Sequence, residues 1–391
     1  MKMRIAKSEH GFTLLELMIA SIIGLIIMAS ITGLFRVAMN ATFAVTQRAE
    51  TQQNMRAAIE LITKDISMAG AGLPSGGLQL ATAGGPTKVA CNQTGTCYVP
   101  GDVYPNSSGG TANYMYGILP GFANGVQSAA VITSAPAAVN DSITSIYCDY
   151  NFPLTNFTFS FPVSAASATV GLVATPNPAL PTNILAPGGL NVGDLLLFIV
   201  SSAGTGVGSG AQGTSVAQTA AAVAEITGLP PGGTAIGFAG ADPLNFNQSG
   251  ANSLAAAVTA AGVAGTTMTV CRLNAVTYFL QVPAAGGTVQ TPRLMRQVNG
   301  LPAVPVADNI INLQFTYDVI NSLNSTTNAN QSNPIAAGLS PALIQKVNIW
   351  VMGQGLIQGN NRSQSMYLAS SVSTRNMSFC NSYGFSNVVC Q

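Results

Sequence analysis

Between Phe12 and Phe35 the chain runs for 24 residues on apolar or small side chains, with Glu16 as its single charge. A helix needs roughly 20 such residues to cross a bilayer, so whatever follows this stretch is tied to a membrane or to an apolar bundle. A short polar leader, Met1 to Gly11, precedes it and carries Lys2, Arg4 and Lys7 against Glu9. An ordinary secretory signal is cut behind its apolar region, at a small-residue site. Here Gly11 lies in front of it, so cutting after Gly11 removes the leader and leaves the membrane helix on the mature chain. The positive leader predicts a cytoplasmic start, with the remainder outside.

Glu16 has a physical reading of its own. A charge within hydrocarbon costs about 2.5 to 3.5 kcal/mol by insertion scales, which marks an unpaired one as functional. Removal of Gly11 frees the Phe12 amine, and a neighbouring subunit can bring that amine to Glu16. At about 4 Å and an effective dielectric near 20 the attraction is on the order of 4 kcal/mol before desolvation. Glu16 therefore favours side-by-side assembly over isolation in lipid. The alternative is an interfacial glutamate that snorkels to the headgroups.

The run Gly11-Phe12-Thr13-Leu14-Leu15-Glu16 resembles the class III signal of type IV pilins and type II secretion pseudopilins. By that resemblance a prepilin peptidase cuts after Gly11, Phe12 becomes the N-methylated first residue, and Glu16 is the family's characteristic acid. The family expectation departs in one place. Many major pilins carry a proline in this helix, whereas this chain has none between Phe12 and Leu73, and Gly24 and Gly33 are its only weak points.

Helix signals continue past Arg36 to about Ala69. Met55, Ile59, Ile62 and Ile66 are spaced four, three and four apart, which puts them on one helical face. Arg48, Arg56, Glu60, Lys64 and Asp65 are expected on the polar surface, and Gly70, Gly72 and Pro74 end the helix. The expected division is therefore a leader at 1–11, a transmembrane or filament-core helix at 12–35, an amphipathic extension and linker at 36–74, and an exported β-rich domain at 75–391. The fold class expected is α+β and pilin-like: a long N-terminal helix packed on a β-rich domain with long loops.

Runs of β-formers bounded by Gly, Pro, Asn and Ser fall at 192–200, 266–282, 311–320, 344–352 and 366–375. Ile344 to Val351 alternates as a half-buried strand should. Ala220 to Ile226 is ambiguous, because alanine favours helix and its neighbours favour sheet. Residues 75–140, 201–214, 228–264 and 321–340 read as loops. In order, Val276 to Leu280, Arg293 to Arg296, Val306 to Tyr317, Val347 to Val351 and a last strand closing on Arg375 resemble PilW-type minor pilins.

Only 7% of the residues are charged, against about 25% in an ordinary soluble domain. Losing residues 1–11 removes three basic residues and one acid, leaving 11 Lys/Arg and 12 Asp/Glu. Nucleic-acid binding needs clustered cations, and the pair Arg293 and Arg296 reads as a solvated strand face, so no nucleic-acid partner is expected. The six cysteines, Cys91, Cys97, Cys148, Cys271, Cys380 and Cys390, all follow the membrane segment. An even set in an exported domain suggests disulfides, with fifteen connectivities open to six cysteines. Cys91 with Cys97 and Cys380 with Cys390 are close enough to close short loops, which leaves Cys148 with Cys271. Zinc is the alternative, but no CxxC is present and His10, the only histidine, sits in the leader.

Catalytic readings fail on the same inventory. Without His10 the mature chain has no imidazole for a triad, and Gly204 to Gly210 lacks the Lys-Ser/Thr that ends a phosphate loop. Asp308 and Asp318 flank a strand without evident pairing. Asp141, Asp149 and Asp194 match no calcium loop and read as surface carboxylates. The expectation is a structural protein, not an enzyme, without cofactor or metal. By the resemblance it is a minor pilin in type IV pilus assembly or priming, near the tip, in the inner membrane by one span with a periplasmic C-terminal domain, then at the cell surface. Its partners are prepilin peptidase, other minor and major pilins and the inner-membrane assembly platform. Two alternatives stand beside it: a minor pseudopilin of type II secretion, and a tip adhesin whose Asn/Ser/Thr/Tyr surface binds a glycan or a host protein.

Overall fold

A computed structural model of the chain describes residues 12–74, 77–81, 83–84, 87, 113–122, 140–162, 165–203, 216–239, 242–263, 266–281, 292–320, 326–335, 337–356, 363–374 and 376–377. One helix, α1 (Leu14–Met68), dominates the N-terminal part and is about 82 Å long at 1.5 Å per residue. It runs unbroken through Gly24 and Gly33, although each glycine costs about 1 kcal/mol relative to alanine in a helix interior. The helix stops at Gly70, whose φ of +80° is left-handed backbone that suits glycine. Its N–H donates to the Ile146 carbonyl at 2.8 Å, which joins the helix end to the sheet behind it.

The remainder is β-rich, so the fold is α+β. In chain order the strands are β1 (Leu78–Leu80), β2 (Asn113–Met115), β3 (Ile118–Gly121), β4 (Ser142–Asp149), β5 (Phe157–Ser160), β6 (Ser167–Leu172), β7 (Leu195–Ala203) and β8 (Val216–Glu225). After β9 (Ala235–Gly237) and a short helix, α2 (Leu254–Ala261), come β10 (Thr266–Gln281), β11 (Arg293–Val298), β12 (Val304–Asp308) and β13 (Ile310–Ile320). The last are β14 (Thr327–Gln331), β15 (Ile344–Leu356) and β16 (Ser363–Ser373).

The longest strand, β10, organises a seven-stranded sheet. One of its edges pairs with β7 along its first half and β11 along its second; the other edge takes β4. The order β12-β11-β10-β4-β3 is completed by β8 on β7. A separate antiparallel sheet runs β14-β13-β15-β16. A three-stranded sheet, β5-β6-β9, and the pair β1-β2 complete the set.

The second half of α1 lies where the two larger sheets meet. Met55, Ile59, Ile62 and Ile66 are buried there against Leu313, Phe315 and Tyr317 of β13, Val347, Ile349 and Val351 of β15, and Val276 and Tyr278 of β10. The periodic stripe thus meets the alternating inward positions of three strands. Helix and sheet approach closely: a Cβ on Gly353 would lie 2.6 Å from Thr51 Cγ2. A second core forms around Leu195, Leu197, Leu273 and Ile146. A third is built on Phe152, Phe157, Phe198 and Phe238.

Several segments read as loops contain short elements. β1, β2, β3, β9 and β14 are three to five residues each, too short to stand out as periodic runs. α2 is capped by the Ser253 hydroxyl, which accepts from the Ala256 N–H. Ala220 to Glu225 belongs to β8, because pairing along β7 overrides the helix preference of alanine.

Candidate assembly site on the N-terminal helix

The helix begins at Thr13, whose hydroxyl accepts from the Glu16 N–H at 3.3 Å. A Glu16 carboxylate oxygen accepts in return from the Thr13 N–H and hydroxyl, each at 3.2 Å. This is a capping box, which satisfies helix-end donors that would otherwise be unpaired. Its signature, Thr-x-x-Glu ahead of an apolar run, stands in the sequence and was missed there because Glu16 was read for charge alone. Both residues are exposed, as is Phe12 at 86%. Gly11 and the leader lie outside the described residues.

From Phe12 to Val45 the large apolar side chains of α1 are uncovered, Ile22 at 53% and Leu34 at 74% among them. The helix is long and apolar enough to cross a membrane. With Glu16 at one end, this half offers an apolar cylinder carrying one acceptor that already serves its own backbone. Chemically it is suited to lateral packing in lipid or in a bundle.

At the other end of α1 the structure corrects an expectation. Asp65, placed on the polar surface by its sequence context, is buried at 2% exposure. Its carboxylate accepts from the Tyr147 hydroxyl at 2.9 Å, from the Tyr278 hydroxyl, and from Arg296 Nε at 2.8 Å. Burial, followed by the Asp65 charge, pushes both tyrosine hydroxyls above their ordinary range. Burial works against the Arg296 cation, but its hydrogen bond and ion pair with Asp65 hold it above the usual range. The same contacts correct the reading of Arg293 and Arg296 as a solvated face. Arg296 is the cation of a buried network, and Arg293 is half-buried opposite Asp308 in the register of β11 and β12.

Cys148 of β4 and Cys271 of β10 are joined by a disulfide, with Cα atoms 5.7 Å apart and a sequence separation of 123. Cys91, Cys97, Cys380 and Cys390 lie outside the described residues, as does the glycine run 204–210. Asp141, Asp149 and Asp194 are buried, not superficial. Asp149 pairs with Arg272, whose Nη1 also lies 3.9 Å from Asp194. Asp141 accepts from the Phe315 N–H at 3.0 Å. Asp308 and Asp318 fall on different sheets; Asp318 pairs with Lys346 at 3.1 Å.

Sequence reasoning also missed Glu225, which is buried beside Asp242 with its carboxylate accepting from the Leu244 N–H at 3.1 Å. Burial, reinforced by the neighbouring Asp242 carboxylate, pushes Glu225 up to about 8. Nothing in the local sequence pairs positions 225 and 242.

Residues 6–32 match the family model described as the prokaryotic N-terminal methylation motif. The match covers only this N-terminal segment; it supports a pilin or pseudopilin type of protein, for which the motif implies processing by prepilin peptidase, and α1 is long and apolar enough to serve as its membrane anchor. Compared with curated proteins and with solved structures, the chain matches none.

Proposed function

We propose that the chain is a minor pilin of the PilW type, which helps to prime type IV pilus assembly at the inner membrane and remains near the filament tip. In this reading it is cut after Gly11, methylated at Phe12, and exposes its β-rich region to the periplasm. The observation that carries the proposal is the uncovered apolar half of α1, with Glu16 at its start, coinciding with the methylation motif over residues 6–32. Cleavage would create a Phe12 amine near the depth of a neighbour's Glu16. An attraction on the order of 4 kcal/mol at 4 Å would compete with the two Thr13 bonds that Glu16 makes within its own chain. Lateral contact between apolar half-helices supplies the packing.

The test replaces Glu16 with alanine in the producing cell and counts sheared surface pili. The expected result is loss of pili with the variant still present in the inner membrane; normal assembly alongside its partners would overturn the proposal. Replacing Gly11 with leucine should leave the leader uncut and give the same loss. Deletion of the gene separates a pilin from a type II pseudopilin, since the first removes pili and twitching and the second blocks exoprotein release.

A further inference from the structure

A sheet can grow at its edges, and natural chains blunt those edges with brevity, proline, charge, bulges or a covering element. Almost every edge in this protein is treated so. β1, β2, β3, β5 and β9 are three or four residues long. β12 holds Pro305, and its register with β11 shifts between Leu294 and Met295. β14 is five residues long and shifts register against β13. β8 packs against α2, and the Asn247 side chain takes up the backbone N–H and C=O of Glu225 at its end.

β16 is the exception. It has 11 residues and contains no proline, glycine or charge. It pairs with β15 along its whole length without a register shift, and no strand lies on its other side among the described residues. The Thr374 N–H donates to the Gln345 carbonyl at 2.9 Å, which sets the phase of the ladder. Even-numbered residues therefore aim their backbone groups at β15, and Ser365, Tyr367, Ala369, Ser371 and Ser373 aim theirs outward. All five are exposed.

The helix limits what can pair there. Gly355 of β15 lies against Gln47 and Thr51, and Gly353 against Thr51 and Met55. β15 thus runs against α1, and β16, antiparallel to β15, runs with it. The free edge begins level with the end of the uncovered half of α1, where Val45 is still 69% exposed, and so continues the surface assigned above to assembly. Antiparallel pairing of two β16 strands would point their helices in opposite directions, which anchoring in one membrane forbids. β14 of a second copy has the right direction, but it is short and bulged. We infer that the free edge of β16 takes an edge strand from a different pilin-type subunit in the same membrane, running antiparallel to β16 and back toward the bilayer. Main-chain hydrogen bonds hold the added strand.

This inference rests on the assembly reading, so the test is made in the producing cell beside Glu16→Ala. Ala369→Pro removes an outward N–H and obstructs an incoming strand while sparing the ladder to β15. It should lose surface pili, with the full-length variant present in the membrane and melting like the parent in detergent. If it melts early, Ser365→Lys with Ser371→Lys, two exposed positions that gain edge charges, should give the same loss. Photoreactive p-benzoylphenylalanine placed at Ser365 or at Ser373 should cross-link to one strand of another protein with a prepilin-type start. The Ser365 adduct should map nearer the C-terminal end of that strand. Adducts between two copies of this chain, adducts in the reverse order, no adduct in piliated cells, or normal piliation of a β16 variant that melts like the parent would each overturn the inference. If Glu16→Ala also piliates normally, the assembly reading falls with it; if that variant loses pili, only the strand pairing is lost.

Discussion

The two halves of α1 each hold a carboxylate in apolar company, and they treat it in opposite ways. Asp65 sits in the half that packs on the sheets and finds two tyrosines and an arginine inside its own chain. Glu16 sits in the uncovered half, where its partners among the described residues are the backbone and hydroxyl of Thr13. A charge taken out of water needs compensation wherever it goes. In the packed half folding provides a cation and two hydroxyls, whereas in the open half the chain itself provides only the two Thr13 donors among the described residues. One helix thus divides into a part completed by tertiary structure and a part that, on the proposed function, is completed by assembly.

The comparison breaks most visibly at Glu16 itself. Glu16→Ala should abolish surface pili while leaving the melting of the solubilised chain nearly unchanged, and normal piliation would erase the distinction. The reverse is expected at Asp65. Asp65→Ala should destabilise the chain by about 3 kcal/mol, because it leaves the half-buried Arg296 cation and two buried tyrosine hydroxyls without their shared acceptor. Chemical denaturation would measure this, and adding Arg296→Met should recover part of the loss.

Apolar positions offer the next contrast. Ile62→Ala, at a fully buried site, should cost about 2–5 kcal/mol, whereas Ile22→Ala in the uncovered half should leave the solubilised melt unmoved. Equal costs would mean that the two halves are not different environments.

Glu225 extends the comparison to a buried carboxylate that has no ion pair among the described residues. Its folded-state value of about 8 lies above the ordinary 4.5, so between these limits the folded chain holds a proton that the unfolded chain has released. Stability should therefore fall as pH rises through that window and level off above it. Melting curves across the window would check this, and Glu225→Gln should flatten the slope. The smallest effect belongs to the helix start: Thr13→Ala should cost about 1 kcal/mol of local helix stability, seen as faster amide exchange in the first turn.

Much of this molecule is legible without coordinates. The apolar run from Phe12, the stripe from Met55 to Ile66 and the alternation from Ile344 to Val351 are periodic, and period is a local property that sequence displays directly. The Thr13/Glu16 box is equally local, and reading the spacing of Thr and Glu would have found it. Asp65 was misread for the opposite reason. Its helical neighbours Lys64 and Ser67 are exposed, and nothing nearby announces partners that lie 82, 213 and 231 positions away. β8 was ambiguous because strand β7, not its own alanines, makes it a strand.

Sequence alone therefore determined the helix, its apolar first half and the acid at its start, since hydropathy and spacing act over a few turns. Tertiary structure alone decided where that helix stops being free. The seat of its second half is assembled from β10, β13 and β15, and Asp65 is neutralised by groups on β4, β10 and β11. Charge compensation across such separations depends on which strands become neighbours, and only the folded chain brings them together.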